Sequence, residues 1–317
     1  MALFLDEQQV TDLLTMEMAI AAVEEALKQH GLGTAINNPR TRVRLPTGQL
    51  HMMGAALPTR GVIGYKAYTA FKGRVRFHLM LYSTDTGELL AVLQADRLGQ
   101  MRTGAASGVA TKYMARADVR SVGIFGTGWQ ARTQLEAVCA VRQIESIKTF
   151  GRNAERRQEF CTEMSQQLGI PVEPASTPEA VVKGMDVVIT ATSARDPLFD
   201  GNWLEPGAHV NAIGSNALIR REIDDTTVRR STLIVVDSKE QARLECGDLL
   251  GALERGLIHW EQVRELGDVV AGLIPGRRQP SDLTLFESHG LAIWDLAAGM
   301  AVYDAAQAKG IGQELAV

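Results

Sequence analysis

Apolar and polar positions follow two different patterns in the first third of this chain. Residues 16–30 place Ile20, Val23 and Leu27 on one side of a helical wheel, which predicts an amphipathic helix. Between residues 40 and 94, short runs of β-forming residues are broken by Pro-Thr-Gly, Lys-Gly and Asp-Thr-Gly. Such runs and breaks predict an antiparallel sheet built from hairpins.

A third pattern begins near residue 119. Five apolar runs are too continuous for half-exposed strands, and helix-length polar segments lie between them at 128–142, 153–168 and 176–184. The five runs are SVGIF, SIKTF, DVVITAT, HVNAIG and TLIVVD. Continuously apolar strands that alternate with helices are typical of a doubly wound parallel sheet.

Together these patterns predict an α/β protein with two domains. Residues 119–285 are expected to form a Rossmann-type domain around the doubly wound parallel sheet. Residues 1–118 and 286–317 are expected to form an α+β domain around the antiparallel sheet. Helical patterns at 96–114 and 289–310 fall within that second domain.

Composition and charge narrow the function classes. The chain has 317 residues, 45% of them hydrophobic, which excludes a disordered or fibrous protein. Its net charge of −4 offers no global basic field for nucleic acid or an anionic membrane surface. No apolar run approaches the roughly 18 residues of a membrane-spanning helix. Three widely spaced cysteines and the lack of a secretory leader pattern predict a cytoplasmic protein without disulfides or a metal site.

The most specific local motif is GTGWQA at 126–131, which fits the pattern G-x-G-x-x-G/A. It directly follows the run SVGIF and opens a predicted helix, which is the context that dinucleotide binding requires. Gly126 allows a tight turn, Gly128 lets the backbone approach a pyrophosphate, and Ala131 permits close packing of helix on strand. A βα turn that binds nothing is the alternative.

The end of the second predicted strand bears on the choice of dinucleotide. No acidic residue stands there to hold a ribose 2′-hydroxyl, and Arg152 and Asn153 follow the run SIKTF instead. A guanidinium suits a 2′-phosphate, so NADP(H) is favoured. NAD(H) remains the alternative, because an arginine can also stack on adenine.

Cationic residues are concentrated in the first third of this slightly acidic chain. Arg40, Arg42 and Arg44 alternate and share one strand face, although a solvated face would also explain them. Lys66 interrupts the apolar run VIGYKAY, and Arg102 lies among small residues. This distribution predicts a site for a compact anion, with packing between helices as the alternative for the small residues.

Six stretches give the chain a resemblance to the ornithine cyclodeaminase/μ-crystallin family over nearly its whole length. They are RVRLP, GYKAY, QMRTGAAS, GTGWQA, EPGAHVNAIGSN and FESHGLAIWDLAAG. The resemblance implies a homodimer in which the antiparallel domain supplies the dimer interface and most of the substrate pocket. It also implies that the C-terminal helix returns to that domain.

The resemblance further implies site residues. In the family, a strand arginine, a lysine and a helix arginine hold the carboxylate of an amino acid. These three residues correspond here to Arg42, Lys66 and Arg102. Asn216 would border the substrate and the nicotinamide. The expected contacts to the cofactor are Gly126, Thr127, Gly128, Gln130, Arg152, Asn153, Thr192, Ser193, Gly214 and Ser215.

The chain departs from the cyclodeaminase pattern at three positions. Asn216 and Ala55 stand where cyclodeaminases carry an aspartate and a glutamate. Asn216 cannot take up a proton at neutral pH, although Asp224 or Asp225 could substitute for the missing acid. His78 replaces a threonine of the pocket strand, where it could bind substrate or donate a proton, or simply pack.

These observations predict an NAD(P)H-dependent reductase of a small 2-imino acid, or equivalently an amino-acid dehydrogenase in reverse. Hydride would be transferred to C2 of a ketimine or an iminodicarboxylate, with Lys66, Arg102 and His78 as catalytic candidates. The surplus charges of Arg44, Lys72 and Arg74 would suit a second carboxylate, but these side chains could equally face solvent. The alternatives are an ornithine or lysine cyclodeaminase and a non-catalytic, NADP-dependent ligand-binding protein.

Overall fold

The polypeptide forms two units, each built around its own β-sheet. Unit 1 comprises Met1–Ala105 and Gly290–Val317, and unit 2 comprises Ala106–His289. The computed structural model describes residues 2–72 and 74–316, except for the side chain of Arg74. No helix among these residues is both long enough and apolar enough to cross a membrane.

Unit 1 contains an eight-stranded sheet in the order β16-β1-β7-β6-β5-β4-β2, with β3 also paired to β4. Its pairs are antiparallel except for β1 with β7, so the sheet is mixed rather than wholly antiparallel. The strands are β1 (Ala2–Leu5), β2 (Ile36–Asn37), β3 (Thr41–Leu45), β4 (Gly48–Leu57), β5 (Val62–Phe71), β6 (Arg74–Ser83), β7 (Leu89–Gln94) and β16 (Gln313–Leu315).

Helices cover one face of this sheet. Thr15 caps the second helix by accepting a hydrogen bond from Met18 N, and the predicted stripe on that helix is buried. The last helix packs against that helix and against β4, β5 and β6, and its first half, residues 292–300, is buried on all sides. The helices are α1 (Glu7–Leu13), α2 (Met16–Gly31), α3 (Asp96–Met114, which ends in unit 2) and α10 (Ala292–Lys309).

The two faces of the unit 1 sheet differ in exposure. Lys66 lies in register with Met53 and Leu79, and all three side chains are buried on the helix-covered face. Neighbouring positions point the opposite way, because side chains alternate along a strand. Exposed apolar residues on that opposite face are Val43, Leu45, Met52, Ile63, Tyr65 and Phe71.

Unit 2 contains an eight-stranded, all-parallel sheet in the order β10-β9-β8-β11-β12-β15-β13-β14. Successive strands run outward from β8 and then restart at β11, so the order reverses between β8 and β11, as in doubly wound sheets. The strands are β8 (Ser121–Phe125), β9 (Ser146–Phe150), β10 (Val172–Pro174), β11 (Val187–Thr190), β12 (His209–Ala212), β13 (Leu233–Val236), β14 (Val263–Glu265) and β15 (Thr284–Glu287). The predicted fold class is confirmed.

Two apolar cores cover the faces of this sheet, which explains its continuously apolar strands. In β11, Val187 and Ile189 pack into one core, while Val188 packs into the other. The helices are α4 (Trp129–Val141), α5 (Ala154–Leu168), α6 (Asp225–Arg230), α7 (Lys239–Glu245), α8 (Gly247–Glu254) and α9 (Leu266–Val270).

The segment 176–184 is not the helix that its length suggested. Only a 3₁₀ turn, Glu179–Val181, forms after Pro178. Gly184, at φ +73°, then turns the chain into β11 and leaves no room for a longer helix.

Candidate functional site

Unit 1 contains a buried ionic cluster contributed by a strand and two helices. Lys66 on β5 donates to Oδ1 of Asp295 on α10 at 2.7 Å, and Nε of Arg102 on α3 donates to the same oxygen at 3.0 Å. The Lys66 and Asp295 side chains are 1% and 0% exposed, and that of Arg102 is 8% exposed. Two of the predicted site residues therefore lie together, with one carboxylate between them.

The cluster is electrostatically incomplete. When Lys66 is protonated, two cations face one carboxylate, which leaves an excess positive charge in a buried environment, and such a charge is unfavourable without a counterion. Among the described residues, Arg102 Nη1 and Asp295 Oδ2 are buried and have no hydrogen-bond partner. One charged donor and one charged acceptor of the cluster are thus unsatisfied within the described part of the chain.

The pKa of Lys66 lies close to neutral pH. Burial, with the charge of Arg102, lowers its pKa from 10.5 to about 7, although the Asp295 carboxylate acts in the opposite direction. The Lys66 amine can therefore gain or lose a proton near physiological pH.

The arginines around β3 extend the positive potential on the same face of the sheet. Arg42 is half-buried and pairs across the strands with His51, while Arg40, just before β3, is 7% exposed and donates from Nε to Met53 Sδ at 3.4 Å. Burial and the charges of Arg42, Arg40 and Arg44 lower the pKa of His51 to about 4. The expected carboxylate contact from Arg42 remains a prediction, and Arg40 is a further candidate that the sequence did not distinguish.

His78 does not lie with the cluster. Its strand partners are Ala67 on β5 and Gln94 on β7, whereas Lys66 pairs with Leu79. The His78 side chain is exposed on the face of the sheet opposite to Lys66, because adjacent strand positions alternate. Within this chain the structure therefore separates His78 from Lys66 and Arg102. Of the surplus cations, Arg44 and Lys72 are exposed, and the side chain of Arg74 lies outside the described residues.

In unit 2 the glycine turn between β8 and α4 has the geometry of an anion cradle. Gly126 has φ +109°, and a Cβ there would lie 2.4 Å from the carbonyl oxygen of Ala191. Gly128 is the N-cap of α4 without a side-chain cap, and no atom lies within 4 Å of its Cβ position. The first turn of α4 therefore opens directly after this glycine turn without a side-chain cap, an arrangement that fits the pyrophosphate of a dinucleotide.

The other expected cofactor residues near this turn take different positions. Arg152 is exposed after β9, and Asn153 caps α5 by accepting from Arg156 N at 2.9 Å. The Thr127 methyl carbon lies 3.1 Å from the Cβ position of Gly151, so the turn packs against the end of β9. Gln130 is half-buried, and its Oε1 is buried without a partner among the described residues.

The segments after β11 and β12 are joined by a residue that sequence reasoning missed. Glu222 is fully buried and accepts from Thr192 N at 2.7 Å and from Gly214 N at 2.8 Å. Ser215 is buried with its hydroxyl donating to Arg220 O, while Ser193 is exposed and Asn216 is half-buried. Glu222 lies in the polar stretch RREIDD, where the sequence gives no sign of burial.

Asp224 and Asp225, the two acids proposed as substitutes for the missing aspartate, are both engaged in other interactions. Asp224 caps α6 and accepts from Thr227 N and Gly201 N. Asp225 forms ion pairs with Arg221 and Arg255. Asp295 was also missed, although an acid within the apolar run LAIWDLAAG is a signal that could have identified it.

A comparison with protein families decides the assignment. The model of the ornithine cyclodeaminase/mu-crystallin family matches residues 2–310. The chain belongs to this family. The resemblance drawn from the six sequence stretches is thereby confirmed.

Members of the ornithine cyclodeaminase/mu-crystallin family with curated names or solved structures match this chain along nearly its full length. Alanine dehydrogenase of Archaeoglobus fulgidus is 34% identical, over 99% of this chain and 98% of its own. Thermococcus litoralis Δ1-pyrroline-2-carboxylate reductase, solved with NADH and L-proline, is 36% identical with a TM-score of 0.94, over 99% of this chain and 100% of its own. A dimeric archaeal alanine dehydrogenase with bound NAD is 34% identical with a TM-score of 0.93, over 99% of both chains. The expected class, an NAD(P)-dependent oxidoreductase acting on CH–NH2 or C=N groups, is confirmed.

Proposed function

We propose that the chain reduces small 2-imino acids with NAD(P)H and, in reverse, oxidises the corresponding amino acids. The observation that carries the proposal is the buried cluster of Lys66, Arg102 and Asp295, with its excess positive charge and its two unsatisfied polar atoms. A 2-imino acid has a carboxylate next to a nitrogen, and these groups complement that donor and that acceptor.

The cluster would orient the substrate through its carboxylate. Arg102 Nη1 and the Lys66 ammonium are charged donors, and charge-assisted hydrogen bonds of this kind are roughly twice as strong as neutral ones. With the carboxylate held, C2 is fixed relative to the protein, and such positioning accounts for a large part of enzymatic rate enhancement. Arg40 and Arg42 add positive potential on the same sheet face.

Asp295 and Lys66 would serve the nitrogen of the substrate. Asp295 Oδ2 can accept a hydrogen bond from the imine N–H, and a carboxylate there favours the protonated, electrophilic form of the imine. Lys66, with a pKa of about 7, can hold or release a proton at Nζ as the amine forms. The reduced dinucleotide supplies the hydride when it is bound.

The absence of two carboxylates that cyclodeaminases carry favours reduction over cyclodeamination. Asn216 and Ala55 replace the two carboxylates of cyclodeaminases, and Asp224 and Asp225 are held in a helix cap and in ion pairs. A protonated imine needs little further acid catalysis, so reduction tolerates this loss. Cyclodeamination must also oxidise a diamino acid and expel ammonia, which requires a further acid–base group beside Lys66 to handle the second amine.

We propose NADP(H) as the preferred dinucleotide. The support is the exposed Arg152 at the end of β9, where no acid stands to bind a 2′-hydroxyl. The two solved relatives hold NADH and NAD, so a preference for NAD(H) is the other outcome of the binding test.

We also propose that a second copy of the chain covers the exposed face of the unit 1 sheet. The six apolar residues on that face would form an unusual surface if left in water. A two-fold partner is the commonest way to bury such a face, and the archaeal alanine dehydrogenase is itself a dimer.

The activity is tested by following NADPH and NADH oxidation with a panel of imino acids. The panel contains five- and six-membered cyclic 2-imino acids, pyruvate with ammonium, and oxaloacetate with ammonium as a source of an iminodicarboxylate. We expect cofactor oxidation and the matching amino acid as product with at least one of them. Ammonia release from ornithine without net cofactor oxidation would identify a cyclodeaminase instead. Tight dinucleotide binding with no turnover of any substrate would identify a binding protein.

A further inference from the structure

Glu222 is a buried carboxylate whose acceptor positions are all used. Its Oε1 accepts from Thr192 N at 2.7 Å and from Thr192 Oγ1 at 2.6 Å. Its Oε2 accepts from Thr190 Oγ1 and from Gly214 N, both at 2.8 Å. Four hydrogen bonds fill the capacity of an ionised carboxylate, and all four donors lie at the ends of two neighbouring strands.

The residues held by Glu222 lie where doubly wound sheets bind their ligands. Thr190 ends β11 and Gly214 follows β12, both at the carboxyl edge of the sheet. The strand order reverses next to β11, and ligands of this fold bind outside the carboxyl ends of the strands at that point. Thr192 Oγ1 also accepts from Ala194 N at 3.1 Å, which extends the fixed segment to 190–194.

The fixed segment forms one wall of the glycine turn. A Cβ on Gly126 would lie 2.4 Å from Ala191 O and 3.3 Å from the Thr192 methyl carbon. Ala191 N donates to Phe125 O at 2.9 Å, which ties the segment to the end of β8. The segment therefore lies beside the glycine turn on the side away from β9, and the nicotinamide half of a dinucleotide extends to that side when the adenosine lies at the end of β9.

Gly214 shows how tightly the carboxylate is packed. A Cβ at this position would lie 2.5 Å from Glu222 Oε2 and 2.3 Å from Thr192 O. Only glycine leaves room there for the Glu222 side chain, which accounts for the glycine in the stretch AIGSN.

Keeping this carboxylate buried is unfavourable. Burial and the nearby charge of Asp248 raise the pKa of Glu222 to about 7, despite the bonds from Thr192 and Thr190. Asp248 Oδ1 in turn accepts from the backbone N–H groups of Glu222 and Ile223, at 2.6 and 2.9 Å. The chain therefore uses two buried acids to fix the backbone at one edge of the sheet.

We propose that Glu222 is a positioning residue that shapes the surface for the nicotinamide half of the dinucleotide. It does so by holding residues 190–194 and Gly214 in one arrangement, and it does not itself contact the reacting atoms. The inference rests on the proposed function for its role in hydride transfer, and on the fold alone for its role in dinucleotide binding.

The test compares Glu222→Gln with Asp186→Asn. Asp186 is a matched control, because it too accepts four hydrogen bonds, from Arg116, Arg120 N and Ser121, but at the amino edge of the same sheet. In Glu222→Gln an amide NH2 replaces one oxygen and faces the donors of Thr190 and Gly214. Binding of NADH and of ADP-ribose, which lacks only the nicotinamide ring, is measured by calorimetry for both variants.

For Glu222→Gln we expect NADH affinity to fall about tenfold or more, and kcat for imine reduction to fall about 10- to 100-fold. ADP-ribose affinity should change by less than about twofold, since its adenosine half extends toward β9, away from the segment that Glu222 holds. Asp186→Asn should lower thermal stability and leave both affinities and kcat near wild type. Equal effects of the two variants, or equal losses for NADH and ADP-ribose, would overturn the proposal.

A second variant covers the case in which Glu222→Gln does not fold. Thr190→Val keeps the shape of the buried side chain and removes one bond to Glu222, so a smaller loss in the same direction is expected. If the wild type binds NADH but reduces no imino acid, a selective loss of NADH affinity still supports the positioning role. In that outcome only the proposed reaction fails.

Discussion

Nζ of Lys66 lies 2.7 Å from Oδ1 of Asp295, although 229 residues separate them in the sequence. Both side chains are buried, and Arg102 donates to the same carboxylate oxygen at 3.0 Å. Asp295 balances only one of the two cations. The remaining positive charge explains why a site built from β5, α3 and α10 is suited to an anion.

Removing the carboxylate tests how far Asp295 stabilises unit 1. Asp295→Asn leaves Lys66 and Arg102 without their counterion, and we expect a loss of about 3–5 kcal/mol of unfolding free energy at pH 7. Asp304→Asn is the control on the same helix, because its ion pair with Arg60 is half-exposed and is expected to contribute less than about 1 kcal/mol. Both variants are measured by urea unfolding. Equal losses of unfolding free energy in the two variants would contradict the ionic assignment.

Lys66 should make stability depend on pH in the alkaline range. Its folded pKa of about 7 lies below the ordinary lysine pKa of 10.5, so the unfolded chain binds more protons between these pH values. The contribution of Lys66 to the unfolding free energy therefore rises as pH increases from about 7 to 10. Urea unfolding at pH 7, 8 and 9 should show wild type gaining stability relative to Lys66→Met, and parallel curves would rule out the lowered pKa.

Arg102 is expected to position substrate through its planar guanidinium. Arg102→Lys keeps the charge but removes the fork, and kcat/KM for imine reduction should fall roughly 10²- to 10³-fold. Dinucleotide affinity should change little, because the glycine turn belongs to unit 2. Asn216→Ala is the comparison and should be mild. Near-full activity of Arg102→Lys together with loss of activity in Asn216→Ala would place the chemistry elsewhere.

Arg152 should decide between the two dinucleotides. If its guanidinium binds a 2′-phosphate, the wild type prefers NADPH, and Arg152→Asp should reverse the order with a change of about 10- to 150-fold in relative affinity. Arg156→Asp is the control, since Arg156 is also exposed and lies in the first turn of α5. The affinities for NADPH and NADH are measured by calorimetry. Equal affinities in the wild type would contradict the assignment of Arg152 to a 2′-phosphate.

The exposed face of the unit 1 sheet should hold two copies together. Ile63 is 48% exposed on that face, so Ile63→Glu is expected to produce monomers at micromolar concentration in sedimentation velocity. Leu32→Glu changes an equally exposed apolar residue, 53% exposed at the end of α2, and should leave the dimer intact. A monomeric wild type would contradict the prediction.

Local patterns predicted most of the elements and the glycine turn between β8 and α4, although the expected helix at 176–184 is only a 3₁₀ turn. The strands of the parallel sheet are buried on both faces and so read as apolar runs, and GTGWQA directly joins β8 to α4. Lys66 and Arg102 were recognised because a cation within an apolar or small-residue run is unusual in itself. Such features can be read from the sequence because they depend only on neighbouring residues.

The tertiary structure decided how these pieces combine. Whether His78 shares a face with Lys66 depends on strand register, and a shift of one residue reverses every side chain of a strand. Asp295 is brought to Lys66 by packing of α10 on the sheet, and Glu222 is brought to Thr192 and Gly214 by the return of a polar loop over the strand ends. Lys66 and Asp295 are 229 residues apart, and Thr192 and Glu222 are 30 residues apart, so a buried charge is compensated here by a partner that no local pattern could identify.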